Sequence, residues 1–118
     1  LIRAVGIPTV PASPVDAGSA LHQAVTDLAG RVDLLYLHVD ADILDERYVP
    51  DHATREPDGP DMGQVLAAIN AVMATGKVAV YAVVSIYAGG PGRERAVATG
   101  IELIRGGLES WQRYGMAG

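Results

Sequence analysis

Two carboxylates, Asp40 and Asp42, stand one residue apart at the end of an apolar run, L-L-Y-L-H-V-D-A-D over residues 34–42. A buried strand ending in D-x-D turns both carboxylates to one face, because side chains alternate along a strand. Like charges about 6–7 Å apart at Cα repel each other where an apolar strand leaves the core, unless a cation sits between them. A divalent ion answers that repulsion, and oxygen ligands suit Mg2+ or Mn2+ better than softer metals. The competing reading is a solvated acidic pair that ends the strand.

Other residues carry weaker signals. His38 falls on the strand face of Asp40, so H-x-D-x-D reads either as a ligand triplet or as a histidine turned to the core and hydrogen-bonded there. Gly89-Gly90-Pro91-Gly92 has the composition of a phosphate cradle at a helix N-terminus, but no lysine accompanies it and a plain strand-to-helix turn uses the same residues. Trp111 and Tyr114 read as packing residues of the last helix or as contacts with a partner subunit.

The elements that must position these residues follow from periodicity. Residues 2–5 suit a short strand, and Pro8, Pro11 and Pro14 keep the next segment extended. After Asp16, the residues Ala17, Ala20, Leu21, Ala24, Val25 and Leu28 form a helical stripe that Gly30 closes. The strand over residues 33–40 is a near-continuous apolar run, as in a sheet covered on both faces. A polar loop over residues 42–60 contains three prolines, and loops of that length are uncommon unless functional. Asp61 and Gln64 are spaced as a capping box before Met62, Val65, Leu66, Ile69, Val72 and Met73, with Gly76 ending that helix. A β-branched strand over residues 78–86 follows. The glycine-rich turn then leads into a helix whose apolar side is Val97, Ile101, Ile104, Leu108 and Trp111, interrupted by Gly106-Gly107.

The order β, α, β, loop, α, β, α favours an α/β fold, three-layer α/β/α with a mainly parallel sheet. Ligands in such sheets sit beyond the carboxyl ends of the strands, where Asp40, Asp42 and the loop after Ile86 fall. The 118 residues hold one domain at most, and 49% hydrophobic residues suffice for a core. A formal charge of −5 without any basic run argues against nucleic acid as a partner. The absence of cysteine in this sequence excludes a disulfide framework and a thiolate metal site. No apolar stretch reaches the ~20 residues of a membrane span, and residues 1–10, with Arg3 and Pro8, do not read as a signal peptide. The opening on Leu1, directly into apolar sequence, reads as the middle of a protein. Residues 1–118 are thus expected to be the carboxyl-terminal portion of a single larger α/β domain.

The segment over residues 38–59 resembles the second metal motif of the arginase, agmatinase and formimidoylglutamase superfamily, the ureohydrolases. Val39, Asp40, Asp42, Pro50 and Gly59 fall in register with that motif, Asp45 matches its usual L-D-P, and Glu56-Pro57 matches a common E-P. The resemblance implies an arginase-like fold and a binuclear manganese centre to which Asp40 and Asp42 each contribute. It also implies hydrolysis of a non-peptide C–N bond in amidine or guanidino-type small molecules. The family's other ligands, a histidine and a D-A-H-x-D run, belong to the amino-terminal half and have no counterpart in this sequence. Catalytic and substrate-binding residues are therefore not assigned. His52 lies in the loop where the family shapes its substrate entrance, and reads either so or as an exposed loop residue.

The sequence departs from the family pattern at several positions. His38 stands where Ser or Thr is usual, Ala41 replaces a larger aliphatic residue, and Glu46 and Asp51 replace small residues or proline. Pro60 breaks the expected glycine pair. Aligned on Pro91, Ala88 occupies the place of an acidic residue carried by guanidino-hydrolysing members, which removes the counter-ion of a guanidinium substrate. These departures support an alternative, a catalytically impaired arginase-fold protein acting as an assembly or binding unit. A third reading, a haloacid-dehalogenase-like phosphohydrolase with Asp40 as nucleophile, is opposed by Ile43-Leu44 after the motif and by Lys77 standing alone. The expected setting is a cytoplasmic homo-oligomer that takes a small-molecule substrate, without nucleic acid or membrane as partner.

Overall fold

The computed structural model describes residue 10 and residues 17–115. The strand expected over residues 2–5, with Pro8, Pro11, Pro14 and Asp16, lies outside the described residues. Helix α1 (Ala17–Ala29) leads into strand β1 (Leu35–Asp40), and two 3-10 turns follow, Ala41–Ile43 and Glu46–Tyr48. Helix α2 (Met62–Met73), strand β2 (Val78–Val84) and helix α3 (Arg93–Tyr114) complete the order.

The strands pair in parallel, with Leu37 opposite Tyr81, Val39 opposite Val83 and Asp40 opposite Val84. A register shift beside Leu35 and Tyr36 lets β2 advance two residues while β1 advances one. Beyond it, Leu37, Val39, Tyr81 and Val83 share the side that meets the core, while Tyr36 and Val80 point to the other side and are exposed. The parallel α/β arrangement is the expected one. Of its three layers, the described residues form the sheet and one helical layer: α2 and α3 pack together, α1 packs on α2, and α3 reaches β2.

Helix α2 starts where its sequence directs. Asp61 Oδ1 accepts from the Gln64 N–H at 2.8 Å, and Gln64 Oε1 accepts from the Asp61 N–H at 2.9 Å. This reciprocal capping box satisfies two amides that a helix start otherwise leaves bare. Gly76, at φ 71°, turns the chain toward β2 through the left-handed region that suits glycine. Lys77 then donates through Nζ to the carbonyls of Ala29 and Val32, the latter at 2.9 Å, and so ties α1 to the amino ends of both strands.

The core departs from the sequence reading in two places. The polar loop after β1 sends Leu44, Tyr48 and Val49 into the core beside Val65, Ile69, Met73 and Leu103. Helix α3 buries Ala96, Thr99, Gly100, Leu103, Gly107 and Ser110, whereas Val97, Ile101, Ile104 and Leu108 of the expected stripe are exposed. Small residues win the inner face because β2 and α2 come so close. A Cβ at Gly107 would fall 2.6 Å from the Tyr81 hydroxyl oxygen, and one at Gly100 would fall 3.0 Å from Ile86 Cγ1. Trp111 packs the helix as expected, and its indole N–H donates to the Val78 carbonyl at 3.0 Å. Among the described residues, no helix is long and apolar enough to cross a membrane.

Candidate metal centre

Asp40 closes β1, and parallel pairing places it at the carboxyl end of the sheet, next to the last residue of β2. Asp42 lies beyond the strand, inside the first 3-10 turn. The two carboxylates are therefore brought together by the turn and not by strand alternation. Asp40 Oδ1 accepts from the Asp42 N–H at 3.4 Å, which caps the turn and folds Asp42 back over Asp40. Ala41 between them is fully buried, so the turn is anchored from below while both acids stay half-exposed.

Their ionisation is split. The Ser85 hydroxyl beside Asp40 holds that carboxyl below its ordinary range, aided by the Asp42 side chain and N–H. Asp42 is pushed upward, first by its hydrogen bond with the Asp40 carboxylate, then by burial and by the repulsion of that charge. Two neighbouring acids pushed apart in this manner mark a place where a cation is favoured.

His52 stands on the far side of Asp42, with its Nδ1 3.8 Å from Asp42 Oδ2 and both side chains 20% exposed. It is thus half-buried beside the acids, which corrects the exposed-loop reading. The Thr54 N–H donates to His52 Nδ1 at 3.1 Å and fixes the ring. His38 takes neither of its expected roles: it is exposed on the open side of the sheet, with Nδ1 3.2 Å from the Tyr36 hydroxyl. Among the described residues nothing covers that side, so the core placement has no core to enter.

The loop is stapled shut beneath these groups. Asp45 N–H donates to the Pro60 carbonyl at 2.9 Å, and Glu46 N–H to the Glu56 carbonyl at 3.1 Å. Asp45 also caps the second turn by accepting from the Arg47 N–H at 3.0 Å. The motif glycine, Gly59, passes over this staple so closely that a Cβ would lie 2.9 Å from Asp45 N and 3.0 Å from the Ile43 carbonyl oxygen.

The structure also names residues that sequence reading missed. Ser85, not Ala88, is the residue that meets Asp40; Ala88 is exposed in the turn. β2 ends at Val84, two residues before its apolar run does, and this leaves Ser85 just beyond the strand end. Ser85 takes φ 69°, a left-handed conformation that costs a residue with a Cβ about 1 kcal/mol. The glycine-rich turn is filled from within: the Gly92 N–H donates to Asp51 Oδ2 at 2.5 Å, where a phosphate oxygen would otherwise sit. Lys77 lies at the opposite end of the strands from Asp40, which removes the lysine that a phosphohydrolase reading needs.

The donor set is mainly hard, two carboxylates and a hydroxyl with a borderline imidazole behind them, and its carboxylates match Mn2+ or Mg2+ in kind. Its number is that of one side of a shell. Among the described residues, no three His, Cys, Asp or Glu side chains converge enough to hold a metal ion by themselves. Compared with known families, residues 1–104 match the model described as the arginase family. None of the curated proteins compared with the chain matches it.

Proposed function

The chain belongs to the arginase family, and on that premise we propose that it takes part in metal-dependent hydrolysis of a non-peptide C–N bond in an amidine- or guanidino-type small molecule. The observation that carries the reading is the Asp40–Asp42 pair, folded together at the carboxyl end of β1 and divided in its ionisation. Asp40 and Asp42 would hold a binuclear manganese centre, together with the family's histidine and D-A-H-x-D ligands, which have no counterpart among these 118 residues. When bound, such a centre supplies Lewis acidity and a water acidified toward neutral pH.

The residues of this chain do the holding. The Ser85 hydroxyl favours the ionised form of Asp40. The turn amide of Asp42 fixes the distance between the two acids, and Thr54 holds the His52 ring beside Asp42. A homo-oligomeric, cytoplasmic enzyme is part of the same proposal. Metal analysis of the full chain tests it: manganese present in the wild type should be lost from Asp40→Ala and Asp42→Ala. Unchanged manganese in both variants ends the assignment.

One observation favours a second reading, an impaired arginase-fold protein that serves assembly or binding. The residue beside Asp40 just after β2 is the neutral Ser85, so among the described residues the end of β2 offers a guanidinium no carboxylate of its own. Turnover of any guanidino or formimino compound by the full chain would overturn this reading.

A further inference from the structure

Asp51, a departure from the family pattern, and the glycine-rich turn before α3 meet each other in space. The Asp51 carboxylate accepts from the Gly92 N–H at 2.5 Å, at the amino end of a helix whose cap residue offers no side chain of its own. A Cβ on Gly90 would lie 2.5 Å from Asp51 Cγ and Oδ2, and one on Gly92 would lie 2.9 Å from Asp51 Oδ2 and closer still to the Pro50 ring. Only glycines at both positions leave room for the acid. A carboxylate at that spot is also favoured by the positive end of the helix dipole.

The contact is one of two hydrogen bonds that, among the described residues, seat the segment carrying His52 on α3. The other is buried: Thr99 Oγ1 donates to the Tyr48 carbonyl at 2.8 Å. The Arg95 guanidinium of α3 covers the Tyr48 ring at 4.8 Å from its centroid, a cation–π contact that strengthens the same seat. Between the seats, His52 N–H donates to the Val49 carbonyl at 3.1 Å. Residues 48–52 thus form a ledge fixed at both ends, and its last residue is the histidine 3.8 Å from Asp42.

We propose that Asp51 is a positioning residue of the metal centre: by capping α3 from the loop, it sets where His52 and Asp42 stand. The acid at a small-residue position and the glycines of the turn form one device, in which the chain's own anion fills the helix N-terminus and locks the metal loop. This inference rests on the metal reading above. It adds that the affinity of the centre depends on a contact that the neighbour of His52 makes with the start of α3.

The test uses the full chain and Mn2+ alone as probe. Asp51→Ala should weaken Mn2+ binding by about 10-fold or more, the usual cost of losing a group that orients a ligand. In the metal-free protein it should speed amide exchange over residues 46–58 while α2 and β2 keep their protection. Asp51→Asn, which retains an acceptor without the charge, should fall between. Gly90→Ala, which evicts the acid sterically, should match Asp51→Ala, and the double variant should be no worse than either single one. Wild-type affinity in Asp51→Ala, or additive losses in the double variant, would overturn the inference alone. A wild-type chain that takes up no Mn2+ would overturn the metal reading, and this inference with it.

Discussion

The two faces of α3 were made by opposite means. Its inner face buries Ala96, Thr99, Gly100, Gly107 and Ser110 around one large residue, Leu103, with the half-buried Trp111 packed on the core at its end. Its outer face carries Val97, Ile101, Ile104 and Leu108, each at least 40% exposed. On the inner face, short side chains let the helix backbone approach β2, and hydrogen bonds then fasten it: Tyr81 Oη to the Leu103 carbonyl at 2.7 Å, Thr99 to Tyr48, and Ser110 Oγ to Asn70 Oδ1 at 2.9 Å. The difference teaches that helical periodicity locates a stripe without saying that the stripe is the buried one. Close approach, not apolar area, selected the inner face.

The sharpest way to break this comparison is to add one methyl group to the inner face. Gly107→Ala would drive a Cβ into the Tyr81 ring, whose hydroxyl is already held by Leu103. Overpacking of that kind costs about 1–3 kcal/mol or more, against a gain of about 1 kcal/mol from helix propensity. A net loss of about 1–2 kcal/mol is expected in urea denaturation of the full chain. The neighbouring Gly106→Ala is the control, because its Cβ meets only the flexible end of Leu66, 2.5 Å from Cδ2. Leu66 can turn aside, so this variant should lie within about 0.5 kcal/mol of wild type or above it, with the propensity gain retained. Equal losses in both would refute close approach as the organising principle.

A smaller effect separates polar fastening from packing. Tyr81→Phe keeps the ring and removes only the hydroxyl that donates to Leu103, a loss of about 1 kcal/mol. Burial also pushes the Tyr81 hydroxyl up from its ordinary value of 10.0 to about 12. The unfolded chain ionises this phenol first, so it binds fewer protons than the folded chain between those two values. Wild-type stability owed to Tyr81 is therefore complete below pH 10 and declines as pH rises toward 12. Denaturation curves of wild type and Tyr81→Phe should converge across that window, and a constant gap would show that the hydroxyl is not buried.

Much of this architecture was legible in the residues, for reasons that are local. The capping box at Asp61 and Gln64, the strand ending at Asp40 and the stop at Gly76 each depend on neighbours in sequence, and each stands where it was read. The acidic pair was legible too, although its geometry comes from a turn that D-x-D spacing does not announce. What escaped depends on distant partners. Ser85 matters because parallel register sets Asp40 beside Val84, and Asp51 matters because α3 begins 2.5 Å from its carboxylate. His38 went astray because an apolar run in β1 implies two covered faces, and the described residues cover only one.

The smallest expected effect lies on the outer face of α3, where Ile101, Ile104 and Leu108 border a shallow groove of about 350 Å³. Ile104 is 47% exposed, so Ile104→Ser should change stability by no more than about 0.5 kcal/mol, as for a surface residue without partners. That outcome would complete the contrast, with a methyl group added inside costing more than several removed outside. A loss of about 2 kcal/mol or more is the size seen when buried aliphatic side chains are truncated. If that loss also grew as the protein was diluted, mass action would assign the stripe to a contact between chains. The two faces of α3 would then differ in when they are buried, the inner on folding and the outer on assembly.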